Sequence, residues 1–403
     1  MARVILGVGA GIAAYKACEL LRLFKENGHA VRVIPTPDAL RFVGEPTWAA
    51  LSGEPVTTDV WAGVADVPHV KLGQGADLVI VAPATADLLA RAVAGLSGDL
   101  LTATLLTARC PVIYAPAMHT EMWEHPATRH NVAALRERGA IVVEPAVGRL
   151  TGKDTGRGRL PEPADLFELA TRVMASGSGD DGGLSLAGKR VLISAGGTRE
   201  ELDPVRFLGN WSTGRQGYAF ARSAVANGAA VTLVAANVEL PDPAGAKVVK
   251  VVSARDMHAA MLAEAAQADV IVMTAAVADF RPVTRAGAKI KKDGTLPPPI
   301  ELTENPDILA DLAKRRADHG PTTQVIVGFA AETDPDPAAA RAKLARKGCD
   351  LLVVNQVGDG QGFGAADNEW LVLDSGGTVT GVTRRSKDAL ADAVLALVST
   401  RLT

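Results

Sequence analysis

Residues 190–217 read RVLISAGGTREELDPVRFLGNWSTGRQG and begin as the first unit of a doubly wound α/β domain does, although they lie near the middle of the chain. An apolar run rich in β-branched residues leads into two glycines, a charged loop and the start of a helix. The N-terminus shows the same order, with RVILGVG at residues 3–9 followed by a predicted helix over residues 11–27. The sequence therefore predicts that a second α/β domain follows a first one.

The length of the chain and the composition of its middle agree with two domains. Its 403 residues exceed what a single hydrophobic core usually serves. Between the halves, ASGSGDDGGLSLAG at residues 175–188 is small, polar and flexible, as linkers are. We predict domains over residues 1–175 and 189–403, joined by a linker at residues 176–188.

Short β-branched runs alternate with helix-length segments in both halves. Examples are DLVIVAP (77–83), VIYAP (112–116) and IVVEP (141–145) in the first half, and AVTLVAA (230–236) and DVIVMTAA (269–276) in the second. This alternation predicts parallel sheets with helical crossovers, and the alternating residues 369–383 predict an antiparallel pair at one end. Ligands of such sheets bind beyond the carboxyl ends of the strands, so the residues that follow strands are the candidate site residues.

Composition argues against several classes of protein. Apolar residues make up 48% of the chain and charged residues 22%, as in soluble globular proteins. The net charge of −3 lacks the basic excess of nucleic-acid-binding proteins, and no apolar run reaches the roughly 18 uncharged residues of a membrane helix. Three widely spaced cysteines fit a reducing compartment, so we predict a cytoplasmic protein.

Several stretches admit both a functional and a purely structural interpretation. GVGAGIAAYKA (7–17) precedes a predicted helix, and the N–H groups at the start of a helix favour an anionic ligand. Ile12 does not match the dinucleotide fingerprint G-x-G-x-x-G. The turn therefore either binds some anion or serves packing alone. The lone His69 is either a structural side chain or a proton carrier. The lysines of AKIKKDG (288–294) are either a solvated charge run or a phosphate clamp. His119, His125 and His130 are spaced by six and five residues, which does not suit a helical metal site.

Taken together, these stretches resemble the bacterial bifunctional family of coenzyme A biosynthesis in which a phosphopantothenoylcysteine decarboxylase is fused to a phosphopantothenate–cysteine ligase. The resemblance covers almost the whole chain and implies an N-terminal flavodoxin-like domain and a C-terminal Rossmann-like ligase domain. The matching stretches of the first half are GVGAGIAAYKA, TPDALRFV, PHVKL, PATAD, GDLLTATLL and PAMHTEMW. Those of the second half are the opening stretch, TAAVADFRP, KIKK, ENPDIL, GFAAET and DLLVVN.

For the first half, the resemblance implies a flavin site with His69 as the catalytic base. FMN would oxidise the cysteine moiety, allow the carboxylate to leave and then return the electrons. The residues expected to bind FMN are Gly9, Gly11, Ile12, Thr36, Pro83, Ala84, Thr85 and Asp99. The residues expected to bind the substrate are Met118, His119 and Met122.

For the second half, the resemblance implies that CTP activates the carboxylate of 4′-phosphopantothenate as an acyl-cytidylate, which L-cysteine then attacks. Asn210 and Lys289 fall on the family's catalytic positions, and Arg206 falls in its substrate and dimerisation segment. Mg²⁺ is expected with the triphosphate, near Asp279. The residues expected to bind CTP are Gly196, Gly197, Thr198, Asp279, Phe280, Lys289, Phe329, Lys343 and Lys347.

Three positions depart from the family pattern and leave an alternative open. His119 stands where the family usually has Asn, Gly152 where its flap carries Cys, and Arg215 where many relatives have Lys. Without the flap thiol, the protein is either a bifunctional enzyme or an active ligase with a flavin-binding, decarboxylase-impaired or regulatory N-terminal domain. A tandem NAD-dependent dehydrogenase is a poorer interpretation, because the dinucleotide fingerprint is missing.

The partners that the resemblance implies are small molecules and further copies of the chain. We expect neither a nucleic acid nor a membrane as a partner. Trimeric contacts of the first domain and dimeric contacts of the second would close into a dodecamer. The choice between CTP and ATP, and the nature of any feedback ligand, stay open at the level of sequence.

Overall fold

A computed structural model describes residues 1–61, 67–150, 154–176, 185–291, 299–319, 323–332, 336–356, 367–374, 376 and 379–402. The chain forms two compact units. The first is residues 1–188 with the segments 225–230 and 243–246, and the second is the remainder. Part of the predicted linker, residues 177–184, lies outside the described residues, so its boundaries stay a prediction.

The first unit has a parallel five-stranded sheet in the order β2-β1-β3-β4-β5 and a separate antiparallel hairpin, β6-β7. A short 3-10 helix, Pro37–Arg41, follows β2. The strands are β1 Arg3–Val8, β2 Ala30–Pro35, β3 Leu78–Ala84, β4 Val112–Pro116, β5 Ile141–Val142, β6 Ala146–Arg149 and β7 Thr155–Arg159. The helices are α1 Ala14–Glu26, α2 Glu45–Ser52, α3 Pro68–Gly75, α4 Ala86–Ala94, α5 Leu100–Thr107, α6 Thr120–Glu124, α7 Pro126–Glu137 and α8 Pro163–Ser176.

The second unit has an eight-stranded sheet in the order β12-β11-β8-β13-β16-β17-β18-β19, in which β17-β18 and β18-β19 are antiparallel. Two short antiparallel pairs, β9-β10 and β14-β15, lie outside it. The strands are β8 Arg190–Gly196, β9 Arg199–Glu201, β10 Phe207–Gly209, β11 Ala230–Ala236, β12 Ala246–Val251, β13 Val270–Met273, β14 Phe280–Pro282, β15 Leu302–Glu304, β16 Val325–Glu332, β17 Leu351–Gln356, β18 Asp367–Asp374 and β19 Val379–Ser386. The helices are α9 Arg215–Ala226, α10 Ala254–Ala265, α11 Ile308–His319, α12 Pro337–Lys347 and α13 Lys387–Ser399.

Each large sheet has a topological switch point beside its first strand. β1 has β2 on one side and β3 on the other, and β8 likewise lies between β11 and β13. The connections from these strands therefore leave in opposite directions and open a crevice at the carboxyl edge, where ligands of doubly wound sheets bind. The central strands are buried on both faces, as the continuous apolar runs predict.

The predicted fold class and the antiparallel pair at one end of the second sheet are confirmed. Two local predictions differ from the structure. The first helix begins at Ala14 instead of residue 11, because Gly9 to Ala13 form a turn, and IVVEP keeps only two paired residues as β5. None of the helices in the described part of the chain is long and apolar enough to cross a membrane.

Candidate active sites

The carboxyl edge of the first sheet brings the turn after β1 against the end of β3. The Gly9 N–H donates to the Pro83 carbonyl at 2.9 Å, and a Cβ at Gly9 would lie only 2.6 Å from that oxygen. Any side chain here would push the two strand ends apart. A Cβ at Gly11, by contrast, would meet nothing within 4 Å. The crevice floor is therefore bare backbone, with open space at Gly11.

Thr36 supplies an unused hydroxyl next to this crevice. It follows β2 and is 7% exposed, and its N–H donates to the Val8 carbonyl at 2.8 Å. Its Oγ1 is buried with no hydrogen-bond partner among the described residues. Buried hydroxyls are normally paired, so this one fits a bound group with polar atoms. The phosphate or ribityl hydroxyls of FMN satisfy that requirement, and the residues present fit the cofactor.

Two other predicted flavin contacts have structural partners. Thr85 Oγ1 accepts from the Leu88 N–H at 3.2 Å and so caps α4. Asp99 is 4% exposed, caps α5 through the Thr102 N–H at 2.8 Å, and forms an ion pair with Arg91 at 2.9 Å. Sequence reasoning missed this capping box, which the spacing of Asp99 and Thr102 indicates. Flavin contacts by Thr85 and Asp99 stay predictions.

A cavity of about 420 Å³ brings Gly11, Ile12, Met118 and His119 together. The β6-β7 hairpin closes one side of it, where the Met118 N–H donates to the Gly158 carbonyl at 2.9 Å. Gly158 has a φ of +151°, and a Cβ there would lie 2.0 Å from the Met118 carbonyl oxygen. Only glycine permits so close an approach. Gly152 of the expected flap lies outside the described residues.

Positive charge dominates the lining of this cavity. Lys16, Arg149 and Arg159 line it together with His119. Glu162 is an opposing carboxylate and forms ion pairs with Lys16 and Arg159. The excess of cations suits a ligand with a carboxylate or a phosphate.

His69 and Met122 are not among the described residues that line this cavity. His69 lies in the first turn of α3, where its carbonyl accepts from Thr107 Oγ1 of α5 at 2.7 Å. Its Nδ1 is buried without a partner in the described part of the chain. The backbone of His69 is therefore anchored, while Nδ1 of its imidazole is left available for a hydrogen bond or a proton, as a proton carrier requires. Met122 is 48% exposed on α6.

The second unit has two adjoining cavities of about 480 and 460 Å³ at the carboxyl edge of its sheet. Asp279, Phe329 and Lys343 line both. Phe280 and Lys347 line the first, and Asn210 lines the second. The structure thus brings most of the predicted nucleotide residues to one place.

Lys343 and Lys347 lie one turn apart on α12 and so occupy the same helix face. Lys343 forms an ion pair with Glu332 at 2.8 Å, and Lys347 pairs with Asp307. Two ammonium groups are thus held at the wall of one cavity. Lysine binds phosphate as a mobile point charge, so this arrangement suits a polyphosphate.

The second cavity lies at the N-terminus of α9 and contains polar atoms that lack partners. Gln216 Oε1, Asn355 Oδ1 and Trp370 Nε1 are all buried without a hydrogen-bond partner among the described residues, and all three residues line the cavity. Trp370 is only 6% exposed. Such a cluster fits a polar ligand, and the amides of a helix N-terminus favour an anionic one.

The Gly196-Gly197-Thr198 turn already uses many of its hydrogen-bonding groups within the protein. Thr198 is fully buried, and its N–H donates to the Ala276 carbonyl at 3.2 Å while its Oγ1 accepts from the Ala278 N–H at 2.9 Å. A Cβ at Gly196 would lie 2.0 Å from the Ala236 carbonyl oxygen. The turn therefore holds the backbone of residues 276–278, which precedes Asp279, and its contact with CTP stays a prediction.

Lys289 and Arg206 lie outside the described lining of both cavities. Conversely, sequence reasoning did not single out Asn305. Its N–H donates to the Asp279 carbonyl and its Nδ2 to the Ala278 carbonyl, both at 2.8 Å. Asn305 therefore fixes the turn that carries Asp279. The stretch ENPDIL, which belongs to the resemblance, was the available signal.

The described residues contain no group of three or more His, Cys, Asp or Glu side chains arranged to hold a metal ion. Mg²⁺ commonly binds through one or two carboxylates together with substrate phosphates. Asp279, exposed at the cavity wall, fits that mode.

The fold and the two sites define a two-unit α/β protein with a candidate ligand crevice in each unit. Residues 1–175 match the family model described as "Flavoprotein", and residues 186–402 match "DNA/pantothenate metabolism flavoprotein C-terminal domain". The chain belongs to the family of coenzyme A biosynthesis bifunctional proteins and is a bifunctional decarboxylase and ligase.

The similar proteins cover both halves. A Mycobacterium tuberculosis protein named Coenzyme A biosynthesis bifunctional protein CoaBC is 57% identical, over 99% of this chain and 97% of the relative. A Vibrio cholerae protein of the same name is 42% identical, over 98% and 97%. A solved C-terminal domain of a protein with that name is 35% identical, covers 54% of this chain and 98% of its own, and has a TM-score of 0.46.

Proposed function

We propose that this chain joins 4′-phosphopantothenate to L-cysteine at the expense of CTP and then decarboxylates the product, 4′-phosphopantothenoylcysteine, to 4′-phosphopantetheine. The observation that carries the proposal is the pair of crevices at the carboxyl edges of the two sheets. The Thr36 hydroxyl, which has no partner among the described residues, lies beside the first, and Lys343 and Lys347 line the second. The whole chain belongs to a family of bifunctional proteins, which supports both activities in one protein.

In the ligase half, the carboxylate of phosphopantothenate attacks the α-phosphorus of CTP, and pyrophosphate leaves. Lys343 and Lys347 bind the phosphates, and Lys289 stabilises the charge that develops at the phosphorus. Mg²⁺ would neutralise the triphosphate, with Asp279 as its protein ligand. The amine of cysteine then attacks the acyl carbon, CMP leaves, and Asn210 contacts the acyl-cytidylate. In this proposal the two adjoining cavities together hold one nucleotide.

In the decarboxylase half, Gly9, Gly11 and Thr36 would hold FMN at the switch point. Bound FMN supplies a reversible two-electron oxidation that makes loss of the carboxylate possible. His119 donates a hydrogen bond to the substrate carboxylate within the cationic cavity, and His69 moves the proton.

The alternative is an active ligase whose N-terminal domain binds flavin without decarboxylating. It rests on Gly152 standing where the family's flap carries Cys. Relatives named as bifunctional over the full chain favour the first proposal.

Release of CO₂ from phosphopantothenoylcysteine distinguishes the two proposals. We expect the purified, yellow protein to release CO₂, and we expect His69→Ala to abolish release while pyrophosphate formation from CTP continues. His125→Ala is the control, because that histidine belongs to neither site. No CO₂ from a folded, yellow protein that still forms pyrophosphate would establish the alternative.

A further inference from the structure

The loop that carries Lys289 follows β14 and forms no regular secondary structure over residues 283–291. Lys289 itself is exposed. A lysine side chain has many rotamers, and a loop adds backbone freedom, so the ammonium group needs an external restraint to reach one place reliably.

The buried carboxylate of Asp203 and the guanidinium of Arg206 form hydrogen bonds with this loop next to Lys289. The Ile290 N–H donates to Asp203 Oδ2 at 3.1 Å, and Arg206 Nη2 donates to the Ile290 carbonyl at 2.7 Å. Arg206 also donates to Asp203 Oδ2, from Nε at 3.0 Å and from Nη2 at 2.6 Å. Both polar groups of the Ile290 backbone are therefore fixed by one ion pair.

The same loop is attached at a second place. The Ala286 N–H donates to the Leu202 carbonyl at 2.9 Å, and Arg285 forms an ion pair with Glu201. Residues 201–206 thus hold the Lys289 loop on both sides of the lysine.

The two oxygens of Asp203 have separate tasks. Oδ1 accepts from the Val205 and Arg206 N–H groups, both at 2.8 Å, and so shapes its own turn. Oδ2 faces Arg206 and Ile290 instead. The side chain of Asp203 is fully buried. The Arg206 guanidinium donates a hydrogen bond that holds the pKa of this carboxyl well below its usual range, and hydrogen bonds from the backbone N–H groups of Val205, Ile290 and Arg206 act in the same direction. The carboxyl group of Asp203 is therefore ionised at neutral pH.

We infer that Asp203 is a positioning residue for acyl-cytidylate formation: it acts through Arg206 and the Ile290 backbone to place Lys289. The inference rests on the proposed function, in which Lys289 stabilises the charge at the phosphorus. It also gives Arg206 a second task besides the predicted substrate contact.

Asp203→Asn separates the two tasks, because the amide oxygen can keep the turn bonds of Oδ1 while the NH₂ group opposes the donors at Oδ2. A misplaced catalytic group can cost up to about 100-fold in rate. We expect roughly a 10- to 100-fold slower single-turnover release of pyrophosphate, with the KM for CTP changed less than about threefold. The reaction of preformed acyl-cytidylate with cysteine should keep its rate, as should CO₂ release by the other unit. Asp256→Asn, which alters the side chain capping α10 in the same unit, is the matched control.

Combination with Lys289→Gln tests whether Asp203 acts through the lysine. If it does, Asp203→Asn adds no further slowing to Lys289→Gln, whereas independent effects on the fold would add. Additive effects, or a normal rate in Asp203→Asn beside a slow Lys289→Gln, would overturn the inference and leave the proposed function intact. A normal rate in Lys289→Gln itself would refute the proposed role of the lysine instead.

Discussion

In the proposed nucleotide site, two lysines are held at one cavity wall. Lys343 and Lys347 pair with Glu332 and Asp307, so each ammonium group is ordered before a ligand arrives. Such exposed pairs contribute little to stability, about 0–1 kcal/mol, and are easily given up for a phosphate. The pairing therefore serves ligand binding more than folding.

Lys343→Gln is predicted to weaken CTP binding more than catalysis. The substitution removes a charge from a wall shared by both cavities and keeps most of the side-chain length. We expect the KM for CTP to rise about 10-fold, corresponding to one lost charged hydrogen bond of roughly 1.5 kcal/mol. The KM for CTP is measured from steady-state pyrophosphate release. Lys314→Gln, which changes an exposed lysine of α11, is the control. An unchanged KM for Lys343→Gln would remove this lysine from the phosphate site.

Single residues show where sequence reasoning succeeds and where it stops. The resemblance predicts that Asp279, Phe329 and Lys343 belong to one site, and all three line both cavities of the second unit, while their contact with CTP stays a prediction. The bond from the Ala278 N–H to Thr198 and the bond from the Ile290 N–H to Asp203 could not be predicted, since hydrogen bonds between residues distant in sequence leave no local pattern. Residue type indicates chemistry, but only the fold shows whether a group is already engaged.

Among the elements, α3 and α5 show how packing fixes a candidate catalytic group. Gly73 of α3 faces Thr104 and Thr107 of α5, and a Cβ at Gly73 would lie 2.2 Å from Thr107 Oγ1 and 2.8 Å from the Thr104 carbonyl oxygen. The same Thr107 hydroxyl donates to the His69 carbonyl. Close approach of the two helices therefore also sets the position of His69.

Gly73→Ala is predicted to destabilise the first unit and slow CO₂ release together. A methyl group cannot fit without separating α3 from α5, and overpacking of this kind costs about 1–3 kcal/mol. We expect the calorimetric transition of the first unit to shift down by roughly 2–10 °C. Gly75→Ala is the control in the same helix, since its nearest neighbour would be Arg3 Nη1 at 3.8 Å. Equal transitions for both variants would contradict the packing argument.

The sheets could be predicted from sequence more completely than the short elements. Continuous apolar runs separated by helix-length segments determine β1, β3, β8 and β13 as buried parallel strands. The β6-β7 hairpin contains few apolar residues and several glycines, so its pairing depends on contact with the Met118 loop instead of on periodicity. Elements whose position is set by tertiary contacts escape local patterns.

At the scale of the molecule, the two units have one fold class, and each has a crevice of the same kind that serves a different reaction. Each places its candidate ligand groups at the carboxyl edge of its sheet, where ligands of doubly wound sheets bind. One product becomes the substrate of the other reaction, because decarboxylation consumes what ligation makes. Because the two units belong to one chain, the two kinds of active site are always present in equal numbers.

Both units expose large apolar side chains of the kind that subunit contacts cover, and the two predicted kinds of contact stay a prediction. Tyr15 and Trp61 of the first unit are 60% and 76% exposed, and Val205 and Trp211 of the second are 60% and 88% exposed. Isolated apolar side chains are common on surfaces, but groups of them commonly mark interfaces.

We predict that the full chain assembles into a dodecamer, because trimeric contacts of one unit and dimeric contacts of the other close a symmetric shell. Light scattering at micromolar concentration should give twelve chains of 41.7 kDa, roughly 500 kDa. Val205→Asp puts a charge into the segment expected to dimerise, so the assembly should fall to trimers of roughly 125 kDa that still release CO₂. A wild-type monomer would refute the assembly, and a Val205→Asp variant that stays near 500 kDa would move the two-fold contact away from residues 205 and 206.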